Sequence, residues 1–283
     1  MKHELKKQVE AKFNIQTRLE VVKKNNGVEL TALFIPCKDT TLCQTVYIDG
    51  LLNDLENGVQ TMEDALSYLE VIMQHEVPSF DLSCLKEKDK LLANVVYSMV
   101  NYEMNQEILK NIPHKRWNDL AITFKVYVAF EEEEKAGNVL VNNDVLELTE
   151  VTFDELDKAA YENTKKLELS IAFLGEILYG MGFQEDDLCP SLYVGSNKDK
   201  MYGSHIILYP ELIQPLAEQK NSDIFIIPSS VHEVLLIAED ESFVESLKGM
   251  VAEVNKSSCV DDQEILSYQV YRYSKETGEI LIA

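Results

Sequence analysis

Apolar and polar residues alternate along this chain in patterns that switch between helical and strand-like within short distances. Apolar residues recur every four positions over 3–13, which predicts a short amphipathic helix. Two apolar segments, 19–24 and 28–36, then flank Asn25-Asn26-Gly27. Asn and Gly tolerate positive φ, so this arrangement predicts a hairpin. A third strand is expected over 45–48.

Helix starts are marked by two capping-box patterns. Thr61 and Thr152 are each followed three residues later by a carboxylate, which predicts helices from Thr61 to about His75 and from Thr152 to about Lys166. Between them, a broad apolar face over 88–110 predicts the longest helix of the chain. The alternation over 119–130 predicts a long strand.

The later part of the chain mixes short strands with helices. Proline suits the first turn of a helix, so Tyr209-Pro210 predicts a helix start. The other expected elements are a helix over 171–181, strands over 192–194, 224–227 and 231–237, a helix to about Val254, and a closing hairpin of 268–273 with 279–283. Regular strand–helix–strand alternation is missing, which predicts an α+β fold with a mainly antiparallel sheet and packed helices.

Length and composition indicate an ordinary globular protein. The chain has 283 residues, of which 46% are hydrophobic and 27% charged. We expect one compact unit over 1–283, or else subdomains over 1–112 and 113–283. Net charge is 26 minus 49, or -23, which disfavours partners with phosphate backbones and anionic membranes. The partner is therefore predicted to be a protein or a small molecule of unknown identity.

Cysteine usage and hydropathy favour a soluble, cytoplasmic protein. The five cysteines, an odd number, lack the two-residue spacing of zinc or redox motifs; they are Cys37, Cys43, Cys84, Cys189 and Cys259. The N-terminus has no apolar core of signal-peptide length, and no segment has the roughly twenty apolar residues of a spanning helix. No cofactor motif and no metal motif is predicted.

The segment Pro-Ser-Ser-Val-His-Glu at 228–233 is the most reactive-looking part of the sequence. Ser229, Ser230, His232 and Glu233 contain the groups of a nucleophile, a base and an orienting acid. On an extended strand, however, His232 and Glu233 would point to opposite faces. Serines after a proline also suit a turn, in which hydroxyls satisfy backbone groups, and this structural interpretation is favoured.

A second candidate group lies between a predicted helix and a predicted strand. His114, Arg116 and Asp119 could bind an anion or perform acid–base chemistry there. The structural alternative pairs Arg116 with Asp119 and places His114 near the end of the preceding helix.

Candidate binding residues come from polar positions elsewhere. Asn101 and Asn105, with Asn94 and Ser98, would form a polar stripe on the predicted long helix, either solvated or facing a partner. Asn197 and Ser204 flank a weakly phosphate-loop-like segment that lacks the required glycine spacing.

Several motifs together resemble those of an uncharacterised family from clostridial gut anaerobes, classed as a domain of unknown function. They are Asn-Tyr-Glu-Met-Asn at 101–105, Ile-Pro-His-Lys-Arg-Trp-Asn-Asp-Leu at 112–120, Val-Thr-Phe-Asp-Glu-Leu at 151–156, Asn-Thr at 163–164, Pro-Ser-Ser-Val-His-Glu-Val at 228–234 and Leu-Ser-Tyr-Gln-Val-Tyr at 266–271. The order of elements is also faintly similar to the YtpQ-like family of bacilli. Neither resemblance implies an active site.

Two functions are consistent with these observations. The favoured hypothesis is a non-catalytic binding or regulatory protein that uses a sheet face or groove. The alternative is a small-molecule hydrolase whose site combines His114, Asp119, Ser230 and His232. The sequence leaves the oligomeric state open.

Overall fold

A computed structural model describes residues 1–37, 43–75, 82–129, 136–180, 192–238, 243–257 and 260–283. Their contacts divide the chain into two compact units, Met1–Phe80 and Asp81–Ala283. The division falls before the predicted boundary at 112, because strands on both sides of residue 112 pair with each other.

The first unit is a three-stranded antiparallel sheet with helices. Its elements are α1 (Lys2–Phe13), β1 (Arg18–Lys23), β2 (Glu29–Pro36), β3 (Cys43–Tyr47), α2 (Asp49–Glu56) and α3 (Met62–Gln74). Asn26 and Gly27 have φ of 60° and 72°, which confirms the predicted turn between β1 and β2. The core joins Leu5 and Val9 of α1 to Leu33, Ile35 and the inner face of α3.

The second unit contains two further sheets. Its elements are α4 (Lys88–Asn94), β4 (Val95–Asn101), α5 (Gln106–Leu109), β5 (Lys115–Trp117), β6 (Leu120–Ala129), β7 (Ala136–Leu140), α6 (Asn143–Thr149), α7 (Phe153–Thr164), β8 (Ser170–Phe173), α8 (Leu174–Gly180), β9 (Leu192–Ser196), a 3-10 helix (Gly203–Leu208), α9 (Pro210–Lys220), β10 (Ile224–Ile227), β11 (Val234–Ile237), α10 (Val244–Lys256), β12 (Tyr271–Tyr273) and β13 (Ile280–Ile282).

Both sheets of the second unit are antiparallel. The first has the order β4-β6-β5, with β7 also paired to β6, and the second has the order β13-β12-β10-β11-β9-β8. Helix α10 packs on one face of the six-stranded sheet through Leu247 and Val251, against Phe225 and Ile227 of β10. These sheets and helices confirm the predicted α+β class.

The predicted long helix over 88–110 is wrong. The start of this segment is helix α4, but Val95–Asn101 is strand β4. This strand pairs with β6 in a register that sets Val95 opposite Val126. A continuous apolar run of this length fits either a buried strand or a helix by periodicity alone. The polar stripe expected on that helix is therefore wrong too: Ser98, Asn101 and Asn105 are buried.

Two other predicted elements are shorter than expected. The segment predicted as a helix over 171–181 begins with strand β8 and becomes helical only at Leu174. The strand predicted over 231–237 begins at Val234. Residues 231–233 thus belong to a loop, and the argument from strand alternation at His232 and Glu233 does not apply. No helix in the described ranges is long and apolar enough to cross a membrane.

Candidate functional site

Two loops of the second unit meet around Gly203. Ser196 Oγ donates to the His232 carbonyl at 2.8 Å, and Ser204 Oγ donates to the Val231 carbonyl at 2.8 Å. A Cβ on Gly203 would collide with Ser196 Oγ and would lie 2.8 Å from the His232 carbonyl oxygen. The glycine is therefore required by close approach, and it allows the loop before the 3-10 helix to lie against the loop before β11.

His232 is held by partners on both sides of its ring. Its Nδ1 accepts a hydrogen bond from the Tyr202 backbone N–H at 3.0 Å, which requires that Nδ1 is unprotonated. The proton of the neutral ring is then on Nε2, which faces Glu264 Oε1 at 3.3 Å. The ring is also tilted against that of Tyr202, with centroids 5.1 Å apart. This geometry fixes both the tautomer and the orientation of the imidazole.

Lys125 approaches the same tyrosine from the four-stranded sheet. Its Nζ lies over the Tyr202 ring, 3.0 Å from the centroid. The side chain is half-buried, and within the described ranges Nζ has neither a carboxylate nor a hydrogen-bond acceptor. Burial lowers the pKa of Lys125 to about 7.

Two phenols complete the surroundings. Tyr127 follows Lys125 on the same face of β6 and pairs in register with Asn138 of β7. The pKa of Tyr202 is raised by burial and, to a smaller extent, lowered again by a hydrogen bond with Asn138. Burial, with the charge of Asp199, also raises the pKa of Tyr127. We refer to Lys125, Tyr127, Asn138, Tyr202, His232 and Glu264 as the Lys125 cluster.

His205, three residues after Tyr202 in the chain, is fully buried. Neither ring nitrogen of His205 has a hydrogen-bond partner of good geometry among the described residues. Burial lowers its pKa to about 4, although the neighbouring backbone of Tyr202 and Tyr97 raises it slightly. The ring is therefore neutral at physiological pH.

Ser230 makes its hydrogen bonds within the 228–233 segment. Ser230 Oγ accepts from the His232 backbone N–H at 3.0 Å, and the Ser230 N–H donates to the Glu233 carbonyl at 3.2 Å. This is the turn expected in the structural interpretation. Ser229 and Glu233 are half-buried in the same turn.

His114, Arg116 and Asp119 do not form one site. His114 Nδ1 lies 3.0 Å from the Ile112 carbonyl, and the Arg116 guanidinium lies over the Tyr102 ring at 4.4 Å. The predicted Arg116–Asp119 pair is wrong, since Arg116 approaches Glu103 at 3.8 Å. Among the described residues, no hydrogen bond joins His114 or Asp119 to Ser230 or His232.

Asp119 is instead a structural acceptor. Its carboxylate accepts from Ser267 Oγ at 2.6 Å and from the Tyr271 hydroxyl at 2.6 Å. Burial, followed by the charge of Asp119, raises the pKa of Tyr271 strongly, so this phenol stays protonated and keeps donating. The three side chains link the start of β6 to β12 of the other sheet.

The predicted binding residues satisfy backbone groups. Asn101 donates to the Leu266 carbonyl at 3.2 Å and accepts from the Met104 N–H at 3.0 Å. Asn105 donates to the Asn101 carbonyl at 2.8 Å. Asn197 bonds both the N–H and the carbonyl of Met201, and so closes the turn that leads to Tyr202. These contacts and that of Ser204 support a structural role for all four residues.

Sequence reasoning missed Lys125, Tyr127, Asn138, Tyr202 and Glu264. One signal was present: Lys125 is the only charged residue in Leu120–Ala129, a strand that is otherwise apolar or neutral. A lysine in the middle of a buried strand needs a partner or a function. The other members come from loops far apart in sequence, and no local pattern connects them.

Comparison with known proteins adds a family but no activity. A family model described as a family of unknown function, DUF5688, matches residues 1–275. The chain belongs to this family. Neither the curated proteins nor the solved structures that were compared with it gave a match. The resemblances to clostridial proteins and to the YtpQ-like family stay predictions.

Proposed function

We propose that this DUF5688 protein is a non-catalytic binding protein of the bacterial cytoplasm, and that its ligand is a small molecule held at the Lys125 cluster. The observation that carries the proposal is the half-buried amine of Lys125, which lies on the Tyr202 ring and lacks an acidic partner within the described ranges. Several other lysines of the fold are paired with a carboxylate; Lys115, for example, lies 2.5 Å from Asp157. An unpaired, partly desolvated amine is costly unless a ligand uses it.

The hydrolase alternative is less well supported. It needs a serine hydroxyl within reach of a free imidazole nitrogen. Ser230 Oγ accepts from the backbone of His232, whereas the ring uses Nδ1 for Tyr202 and directs Nε2 to Glu264. The Asp119 carboxylate already accepts hydrogen bonds from two hydroxyl groups. Hydrolysis would require these bonds to be exchanged, while ligand binding at Lys125 leaves them intact.

A cytoplasmic location is supported by the state of the cysteines. Cys37 and Cys43 are free thiols in the structure, while Cys189 and Cys259 lie outside the described residues. Free thiols are typical of reducing compartments.

A ligand screen by thermal shift tests the proposal on the full-length chain. A compound at about 100 times its Kd adds about 2.7 kcal/mol to the free energy of unfolding. We expect at least one metabolite-like compound to raise the Tm of the wild type and to leave the Lys125→Met variant unchanged. The matched control is Lys110→Met, because Lys110 is exposed and pairs only along its own helical turn with Glu107.

Two results would count against the proposal. Compounds that stabilise the wild type and Lys125→Met equally would place binding elsewhere. A compound that is consumed by the wild type, with loss of turnover in the variant, would show an enzyme instead. If Lys125→Met fails to fold, ligand protection of Lys125 from acetylation in the wild type, followed by peptide mass mapping, gives the same answer.

A further inference from the structure

The chemistry of Lys125 narrows the class of ligand, and this step rests on the function proposed above. Its amine has an aromatic ring on one side and the apolar sheet on the other, since Val96 and Leu140 are its partners in register on β4 and β7. Burial lowers its pKa to about 7, which leaves a substantial share of the amine neutral near neutral pH. Lys198 shows the opposite case: its exposed ammonium lies 3.0 Å from Glu168, and its pKa is raised.

Acidic charge near the two phenols of the cluster, and on the chain as a whole, disfavours an anionic ligand. Asp199 lies close enough to influence Tyr127, and Glu264 influences Tyr202 in the same way. The whole chain carries a net charge of -23. A carboxylate or phosphate would approach against this field, whereas an uncharged group would not.

The neighbouring groups suit reaction at an amine. Tyr127 and Tyr202 are phenols that stay protonated, because burial raises their pKa values. A protonated phenol can donate a hydrogen bond to a carbonyl oxygen. The neutral amine has a lone pair, and neutral lysines in apolar surroundings act as nucleophiles toward carbonyl carbon.

We propose that Lys125 binds an uncharged aldehyde as a reversible imine. The Nζ lone pair attacks the carbonyl carbon and forms a C–N bond, while the carbonyl π bond breaks and its oxygen takes up a proton lost from the nitrogen. Loss of water from this carbinolamine then gives the C=N bond. One amine and one aldehyde yield one imine and one water, with no change of oxidation state.

Reductive trapping tests this directly on the full-length wild-type chain. The protein is incubated at pH 7 with butyraldehyde and sodium cyanoborohydride, and alkylated lysines are located by peptide mass mapping. We expect Lys125 to be alkylated about tenfold or more faster than Lys110 and Lys198, because burial lowers the pKa of Lys125 and leaves a substantial share of its amine neutral. Glyoxylate, an anionic aldehyde, serves as the second probe and should react at Lys125 less readily than butyraldehyde.

The outcomes separate this inference from the proposed function. Alkylation of Lys125 no faster than of Lys110 overturns the imine proposal. If a screened compound still stabilises the wild type and not Lys125→Met, the binding function survives that result. Preferential reaction with glyoxylate would also overturn the proposal, because it would mean that an anion is recognised. The wild-type mapping needs no variant, so a folding defect in Lys125→Met cannot obscure it.

Discussion

Tyr202 has a backbone conformation that residues with side chains rarely adopt. Its φ is 56° and its ψ 24°, in the left-handed region, at a cost of about 1 kcal/mol or more. Three contacts offset this cost: the Tyr202 N–H donates to His232, its ring packs against the same imidazole, and Lys125 Nζ lies over the ring. Strained residues concentrate at functional sites, and this one lies at the centre of the Lys125 cluster.

Substitution of His232 tests whether the 228–233 segment has a structural or a catalytic role. We expect His232→Ala to lower the free energy of unfolding by about 1–3 kcal/mol, because the Tyr202 N–H loses its acceptor. His232→Asn should lose less, since Asn Oδ1 occupies the place of Nδ1 and can accept the same bond. Urea unfolding at pH 7 measures both variants against the wild type. An alanine variant as stable as the wild type would contradict the structural role and reopen the hydrolase alternative.

Strand β4 shows at the scale of elements what sequence can and cannot predict. The hairpins, the capping boxes and β6 follow from local patterns and are confirmed. Helix α4, however, ends at Asn94 because of a distant residue: Asn163 Nδ2 donates to the carbonyls of Leu92 and Val95 at 2.8 and 3.0 Å. Thr164 Oγ then accepts from the Tyr97 N–H at 2.9 Å, which supports the start of the strand.

These bonds explain the error over 88–110. Asn163-Thr164 lies at the end of α7, about seventy positions away in the chain. Its effect on β4 therefore cannot be inferred from the local sequence pattern. The Lys125 cluster was missed for the same reason. Lys125 stands out in its own strand, but it contacts Tyr202, which in turn contacts His232 and through it Glu264, only because the two sheets and their loops pack together.

The start of α7 gives an element-scale prediction about pH. Glu155 accepts from the Thr152 N–H at 3.0 Å and pairs with Lys88 Nζ at 2.7 Å. The hydrogen bond from Lys88, followed by that from Thr152, lowers the pKa of Glu155 to about 2 from 4.5. A lowered folded-state pKa adds stability above the unfolded value, and this is lost as pH falls toward the folded value.

We therefore expect Glu155→Gln to be less stable than the wild type at pH 7. The difference in free energy of unfolding between the two proteins should shrink as pH falls from about 4.5 toward 2, where the wild-type carboxylate becomes protonated. Urea unfolding at intervals between pH 7 and 3 measures it. Lys88→Met is the companion variant, because it removes the largest cause of the lowered pKa of Glu155. It should narrow the pH range over which protonation of Glu155 changes the free energy of unfolding. A wild-type advantage that stays constant down to pH 3 would show that Glu155 does not stabilise the helix as a carboxylate.

At the scale of the whole molecule, each unit has a core of its own. The cluster around Leu33 and Leu69 draws only on residues within Met1–Phe80, and the cluster around Phe225 and Leu247 only on residues within Asp81–Ala283. A segment with its own core can in principle fold alone. All six members of the Lys125 cluster also lie within Asp81–Ala283.

We accordingly expect a fragment of residues 81–283 to unfold cooperatively and to keep the reactivity of Lys125 toward butyraldehyde. The fragment of residues 1–80 should fold with a smaller free energy of unfolding, since a chain of that size buries only about 60% of its unfolded surface. Circular dichroism during urea titration, with a reducing agent present, measures both fragments. If 81–283 lacks a cooperative transition, its stability depends on the first 80 residues, and the expectation of one compact unit over the whole chain gains support. If it folds but Lys125 reacts no faster than Lys110, the first unit contributes to the environment of the amine.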